Sequence, residues 1–287
     1  MQTFDCALRA TRGAREYQED TAVLWPGADA SPSASGGGTN GGSGGGETTA
    51  SASQGRVVAV LADGMGGHAG GALASRLVCE HFLKTVSRHA GETIDGLLLA
   101  LMAANESVAA QVRKNPLLSG MGSTVIGVEF VSGGINWVSV GDSPLYLWRR
   151  GEIAMLNEDH SLAPDLDRLA AEGKITAAQA RKDPRRHMLR SAVTGEEIDL
   201  VDISKKPLRL EADDYVILAS DGLQSLELPE IERLVSAYAT DGSDAVAGAL
   251  IREIDNLREP HQDNATVVVV RAIGGDVGSD AAGGDAS

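Results

Sequence analysis

The chain has 287 residues, with 25 Lys and Arg against 40 Asp and Glu for a net charge of −15, and 43% of it is hydrophobic, enough for one substantial core. That acidity, with only three Trp, four Tyr and three Phe, argues against a nucleic-acid binder, which needs a cationic face and stacking platforms, and against a partner of acidic lipid. Cys6 and Cys79 are too few for a disulfide framework or a Cys-rich zinc site, and the longest apolar run, residues 97–104, falls far short of the roughly 20 residues of a membrane helix, so a cytoplasmic setting with reduced thiols is expected.

Along the chain, residues 4–11 and 21–25 read as strands, rich in β-branched and aromatic residues, with the charged loop REYQED (15–20) before the second. Composition then collapses: residues 33–52 are almost all Ser, Gly, Thr, Ala and Asn. Residues 27–55 are therefore expected to form a flexible insertion, not an interdomain linker, because the 25 residues before it are too few for a core of their own. A strand at 56–62 follows, then helical spacing of apolar residues over 71–88 and 93–114. Strands are predicted at 124–131, 135–140 and 145–149, the first two joined across Ser132-Gly133-Gly134, and again at 198–204 and 215–219. Helices at 228–239 and 243–256 and a strand at 266–272 close one domain, 1–273, before a Gly/Asp-rich tail, 274–287, expected to be disordered. Back-to-back helices and grouped strands argue for an α+β fold of antiparallel sheets with helices outside.

The informative feature is a recurrence of Asp beside Gly or Asn at the ends of very apolar strands. It appears as Asp63-Gly64 after VVAVLA, Asp142 after VSVG, Asp221-Gly222 after VILAS, and Asp263-Asn264 before ATVVVV. A lone Asp-Gly is most often a turn, and Asp213-Asp214 reads as one. Four such carboxylates meeting at one rim, however, would repel one another unless cations stood between them. Oxygen donors suit Mg²⁺ or Mn²⁺, and a pair of such ions suits in-line attack on a phosphate ester. Arg15 adds a planar donor fork matched to phosphate oxygens, though by composition its loop is merely a solvated, charged one.

In order, the motifs R-x-x-x-E-D (15–20), ADGMGGHAGG (62–71), GST (122–124), VGDSPLYLWR (140–149), EDHSL (158–162), ASDGL (219–223) and QDNATVVVV (262–270) resemble the bacterial type of the metal-dependent PP2C/PPM protein serine/threonine phosphatases. The resemblance implies a four-layer α-β-β-α sandwich, two central antiparallel sheets flanked by helices, with a metal cleft at one edge. It also implies hydrolysis of phosphoserine and phosphothreonine in proteins by a metal-bound hydroxide attacking phosphorus in line, with no phospho-enzyme. By position, Asp63 is similar to the carboxylate bridging two Mn²⁺ or Mg²⁺ ions, and Asp221 and Asp263 to the other protein ligands of the first. The carbonyl of Gly64 and the waters held by Glu19 fall at the second ion, and Asp142 with Asp221 at a third, weaker one. Asp20 and Asn264 fall just outside the ligands, and Arg15 where the family grips substrate phosphate. Phosphorylated targets of a cognate Ser/Thr kinase are the implied partners, and a monomer is expected.

Met65 stands where eukaryotic members place a His after Asp-Gly; the nearest, His68, is expected to cap the following helix, and His160 to be a packing residue. Residues 161–195 resemble the flap beside the cleft, and their run Arg181, Lys182, Arg185, Arg186, Arg190 reads either as a cationic lip or as a helix-end charge cluster. Two rivals stand beside the phosphatase. One is a dinucleotide-binding module on Gly64-x-Gly66-x-x-Ala69, which lacks an acidic residue ending the next strand; the other is a metal-free binding platform, disfavoured by the intact acidic positions.

Overall fold

The computed structural model describes residues 2–26, 48–67, 69–89 and 93–274. Most of the expected insertion (27–47), His68 and nearly all of the tail (275–287) lie outside the described residues.

The strands in chain order are β1 (Thr3–Thr11), β2 (Asp20–Pro26), β3 (Thr48–Gln54), β4 (Val57–Met65), β5 (Gly122–Ser123), β6 (Val125–Val131), β7 (Gly134–Val140), β8 (Leu145–Arg149), β9 (Glu152–Met155), β10 (Asp202–Ile203), β11 (Tyr215–Ala219) and β12 (Ala265–Ile273). The helices are α1 (Ala69–Val86), α2 (Thr93–Lys114), α3 (Ala163–Ala171), α4 (Ala177–Lys182), α5 (Leu228–Tyr238) and α6 (Ser243–Leu257). One sheet runs β3-β1-β12-β11-β8-β9 and the other β10-β7-β6-β4-β2, with β5 pairing the end of β4. Adjacent strands are antiparallel throughout.

Three apolar layers account for the four-layer sandwich. In β4, Val57, Ala59 and Leu61 face the other sheet, meeting Val216, Leu218, Val268 and Val270. Val58, Val60 and Ala62 face α1 and α2, where Val78, Phe82, Leu97 and Leu101 cover them. Period-two alternation with both faces apolar is what a strand buried on two sides requires. A third layer lies beneath α5 and α6, with Ile217, Val267 and Val269 against Ile231, Leu250 and Ile254. No helix among the described residues is long and apolar enough to cross a membrane.

Four local differences have physical causes. Residues 48–54, placed by composition in the insertion, pair with β1 as an edge strand. The strand expected over 198–204 shrinks to β10, because the Ser191 hydroxyl donates to Leu200 O and accepts from Leu200 N–H, taking that backbone out of the ladder. β9, unexpected from sequence, closes a two-residue hairpin in which Arg150 (φ 53) and Gly151 (φ 91) both lie at positive φ, the twist a tight hairpin favours. In the flap, where no individual element was predicted, α3 and α4 form; α4 starts on a capping box between Thr176 and Gln179.

Candidate active site

The alternation that buries Val57, Ala59 and Leu61 between the sheets brings Asp63 out on the same face at the sandwich rim. β4 continues through Met65, so Asp63-Gly64 form the end of the strand rather than a turn after it. The GST motif fixes them. Thr124 N–H and the Ser123 hydroxyl both donate to Asp63 O at 2.8 Å, and Asp63 N–H donates to Thr124 Oγ1 at 3.0 Å. Asp20 is the direct cross-strand partner of Asp63. Its Oδ2 accepts from the hydroxyls of Ser220 and Thr266, each at 2.8 Å, so the start of β2 is tied to the opposite sheet.

Two glycines allow the approach. A Cβ on Gly64 would stand 2.1 Å from Gly71 O and 2.7 Å from Glu19 O, and one on Gly222 would stand 2.0 Å from Asn264 O. The first brings the N-terminus of α1 and the Glu19 loop onto the end of β4; the second brings the segment after β11 against the segment before β12, which carry Asp221 and Asp263. Asn264 then organises the β1–β2 loop: its Nδ2 donates to Arg12 O at 2.9 Å and Tyr17 O at 3.0 Å, and its Oδ1 accepts from Glu19 N–H at 2.7 Å. Arg15, at the crest of that loop, is half-exposed and ion-paired with Asp263.

The result is an electrostatic cluster. Burial, then Asp20, Asp221, Asp142 and Asp263, push the Asp63 carboxyl well above the usual range. Burial and neighbouring carboxylates push Asp20 and Asp142 up to about 7, and burial and Asp263 raise Asp221. Asp63 lies close enough to Asp221 to act on its carboxyl directly, as Asp263 does. Asp20 Oδ1 and Asp221 Oδ1 are buried with no hydrogen-bond partner. Among the described residues no three acidic, His or Cys side chains stand ready-made at ligating spacing. The orphaned carboxylate oxygens and the all-oxygen donor set nonetheless fit a hard divalent cation, whose charge would offset the repulsion among them.

Asp63, Asp20, Asp142, Asp221 and Asp263, spread over more than 240 positions of sequence, therefore act on one another at one rim, with Glu19, Gly64 and Asn264 in the same network. Two neighbours escape sequence reasoning. Asp159 helps raise Asp142, and His187 on the flap favours the ionised form of Asp221. Asp159 stands in the EDHSL segment, whereas nothing local marks His187. His160 is buried, as a packing residue should be, and its Nδ1 accepts from Gly141 N–H at 3.2 Å beside Asp142; burial lowers its pKa. In the flap, Arg185, Arg186 and Arg190 pair with Asp183, Asp167 and Asp165, so the charge-cluster reading describes them and no open cationic lip is formed by these three.

The family model for protein phosphatase 2C matches residues 47–257. The chain belongs to the protein phosphatase 2C family. It is 34% identical over 230 residues to the serine/threonine protein phosphatase PstP of Mycobacterium tuberculosis, covering 76% of this chain and 41% of that protein. The chain thus spans under half the length of this curated relative. It is 31% identical over 180 residues to the serine/threonine phosphatase stp of Listeria welshimeri, covering 61% of this chain and 69% of that protein. Among solved structures, the M. tuberculosis PstP/Ppp phosphatase superposes with a TM-score of 0.72 at 30% identity, covering 95% of this chain and all of that one. The PstP catalytic domain in complex with two manganese ions superposes at 0.71 with 28% identity, covering 96% of this chain and all of that one. The antiparallel sandwich of the family excludes the dinucleotide module, whose fingerprint needs a parallel βαβ unit.

Proposed function

We propose that this chain is a divalent-cation-dependent phosphatase that hydrolyses phosphoserine and phosphothreonine in proteins. The observation that carries the reading is the gathering of Asp20, Asp63, Asp142 and Asp221, whose carboxyls raise one another, with Asp263 beside them: five Asp from five separate segments, which repulsion opposes unless cations offset it. Two ions of Mn²⁺ or Mg²⁺ are proposed, held by Asp63, Asp221, Asp263 and the Gly64 carbonyl, with Glu19 orienting water. A weaker third would sit at Asp142 and Asp221. When bound, such ions lower the pKa of water and neutralise charge on phosphoryl oxygens.

The chain's own residues do the rest. Asn264 and Ser75 hold the Glu19 backbone in place, Ser75 donating to Glu19 O at 2.5 Å. Thr124 and Ser123 keep Asp63 at the rim, and Asp20 is locked by two hydroxyls so that it buttresses Asp63. Arg15, on the loop before β2 and beside Asp263, would offer its planar fork to two phosphoryl oxygens of the substrate. In the overall reaction water adds to phosphorus, the bond to the Ser or Thr oxygen breaks, and that oxygen takes a proton, leaving free hydroxyl and inorganic phosphate. The cytoplasmic setting, the monomeric state, the single domain over 1–273 and a cognate Ser/Thr kinase belong to the same proposal.

The test is phosphate release from phosphoserine, phosphothreonine and phosphotyrosine peptides with Mn²⁺, with Mg²⁺ and with EDTA. Release from the first two only, lost in EDTA, is expected. Undiminished release in EDTA would remove the metal centre from the reaction, and no release with either ion would favour the binding platform.

A further inference from the structure

Away from the cleft, the cations of this acidic chain divide into two groups. Those of the flap are largely spent on neighbouring carboxylates. On α1 the opposite holds. His81, Lys84, Thr85, Arg88 and His89 line a hollow of about 350 Å³, and none of the basic side chains in it is ion-paired among the described residues. His81, Lys84 and Thr85 share one face of α1, Arg88 lies in the turn just beyond it, and Lys84 and Arg88 are exposed. Basic residues near a helix C-terminus ordinarily serve its last carbonyls. Here Arg56, itself paired with Glu129, already does so, donating to Val86 O at 2.9 Å and His89 O at 3.3 Å. Among the described residues the lining of the hollow offers ammonium, guanidinium, imidazole and hydroxyl groups and no carboxylate.

The same helix begins in the cleft, where Gly71 packs against Gly64 and Glu19. From Gly71 to Thr85, at a rise of about 1.5 Å per residue, the separation is about 20 Å. Exposed Arg76 lies on the way.

We propose that this hollow is a second docking point for substrate, which takes a phosphorylated residue of the same polypeptide about 20 Å from the phosphate being hydrolysed. The inference rests on the phosphatase reading and names its substrate class: polypeptides phosphorylated at two sites separated by at least about six extended residues, at about 3.3 Å each. A phosphate held at the hollow makes capture of the second one intramolecular, and a chain whose net charge repels phosphopeptides gains most from such an anchor.

The test compares a singly phosphorylated threonine peptide with one carrying two phosphothreonines about eight residues apart, using the full chain with Mn²⁺. For the wild type, a KM about five- to tenfold lower for the doubly phosphorylated peptide is expected at low salt, with the advantage lost near 0.5 M salt. The double variant Lys84→Glu/Arg88→Glu should lose the advantage while keeping its kcat and its kinetics on p-nitrophenyl phosphate. Lys205→Glu/Lys206→Glu, the same charge change on the loop after β10, should keep it. Equal KM values for the two peptides in the wild type, or equal loss in both variants, overturns the proposal. Fluorescence anisotropy of the labelled doubly phosphorylated peptide with each protein in EDTA reads the anchor without turnover. Weaker binding in the α1 variant alone supports the anchor even if hydrolysis fails, and indistinguishable binding in all three proteins rejects it.

Discussion

Asn264 Oδ1 accepts the backbone N–H of Glu19 at 2.7 Å, joining the start of β12 in one sheet to the entry of β2 in the other. The same side chain holds Arg12 O and Tyr17 O, so a single amide shapes the loop that presents both Arg15 and Glu19.

Replacing Asn264 with Ala removes three hydrogen bonds from a nearly buried site, a loss of roughly 2–3 kcal/mol at about 1 kcal/mol each. Thermal unfolding should shift down by about 5–10 °C. Phosphate release should fall with a raised KM, since Arg15 is no longer aimed. An unchanged KM would separate the loop from substrate.

Asp63→Asn and Asp221→Asn should have opposite effects on stability and activity. Each removes a charge that the metal-free cluster tolerates poorly, so the unfolding free energy in EDTA at pH 8 should rise by about 1 kcal/mol or more, read from urea denaturation. Phosphate release should fall by at least about a hundredfold. Loss of activity with loss of stability would mean that these carboxylates serve the fold.

The metal-free protein should lose stability as pH rises. Asp20 and Asp142 ionise near pH 7 when folded, against about 3.9 in an unfolded chain. Between these values the folded state holds protons that the unfolded state has released. The stabilisation is therefore complete below about pH 4 and lost as pH passes through about 7. Urea denaturation in EDTA should give a lower midpoint at pH 8 than at pH 5. Saturating Mn²⁺ should flatten or reverse the trend, because it binds the ionised carboxylates of the native state.

Gly64→Ala should be poorly tolerated despite its small size. The added methyl would meet the Gly71 carbonyl, which is backbone and cannot rotate away, at 2.1 Å. A loss of about 2–3 kcal/mol is expected, with weaker Mn²⁺ binding by calorimetry. Ala at Gly133, where a Cβ meets nothing within 4 Å, should leave both measurements unchanged.

The alternation of VVAVLAD and VILASD was enough to predict buried strands ending in carboxylates, because side-chain direction along a strand repeats every two residues and is a local property. Helix α2 was likewise legible residue for residue from its apolar spacing. The motif series, met in order, fixed the family. What local pattern could not supply was partnership. The register that sets Asp20 opposite Asp63, the pairing of Arg15 with Asp263, the neutralised flap arginines and the approach of His187 to Asp221 all depend on segments far apart in sequence. β3 and the hairpin strand β9 escaped for the same reason, since weak strand sequences become strands only when a neighbour offers its free edge. Sequence therefore determined which residues reach the rim, and tertiary structure alone decided which of them meet, because convergence is set by inter-strand register and by the backbone contact that Gly64 and Gly222 permit.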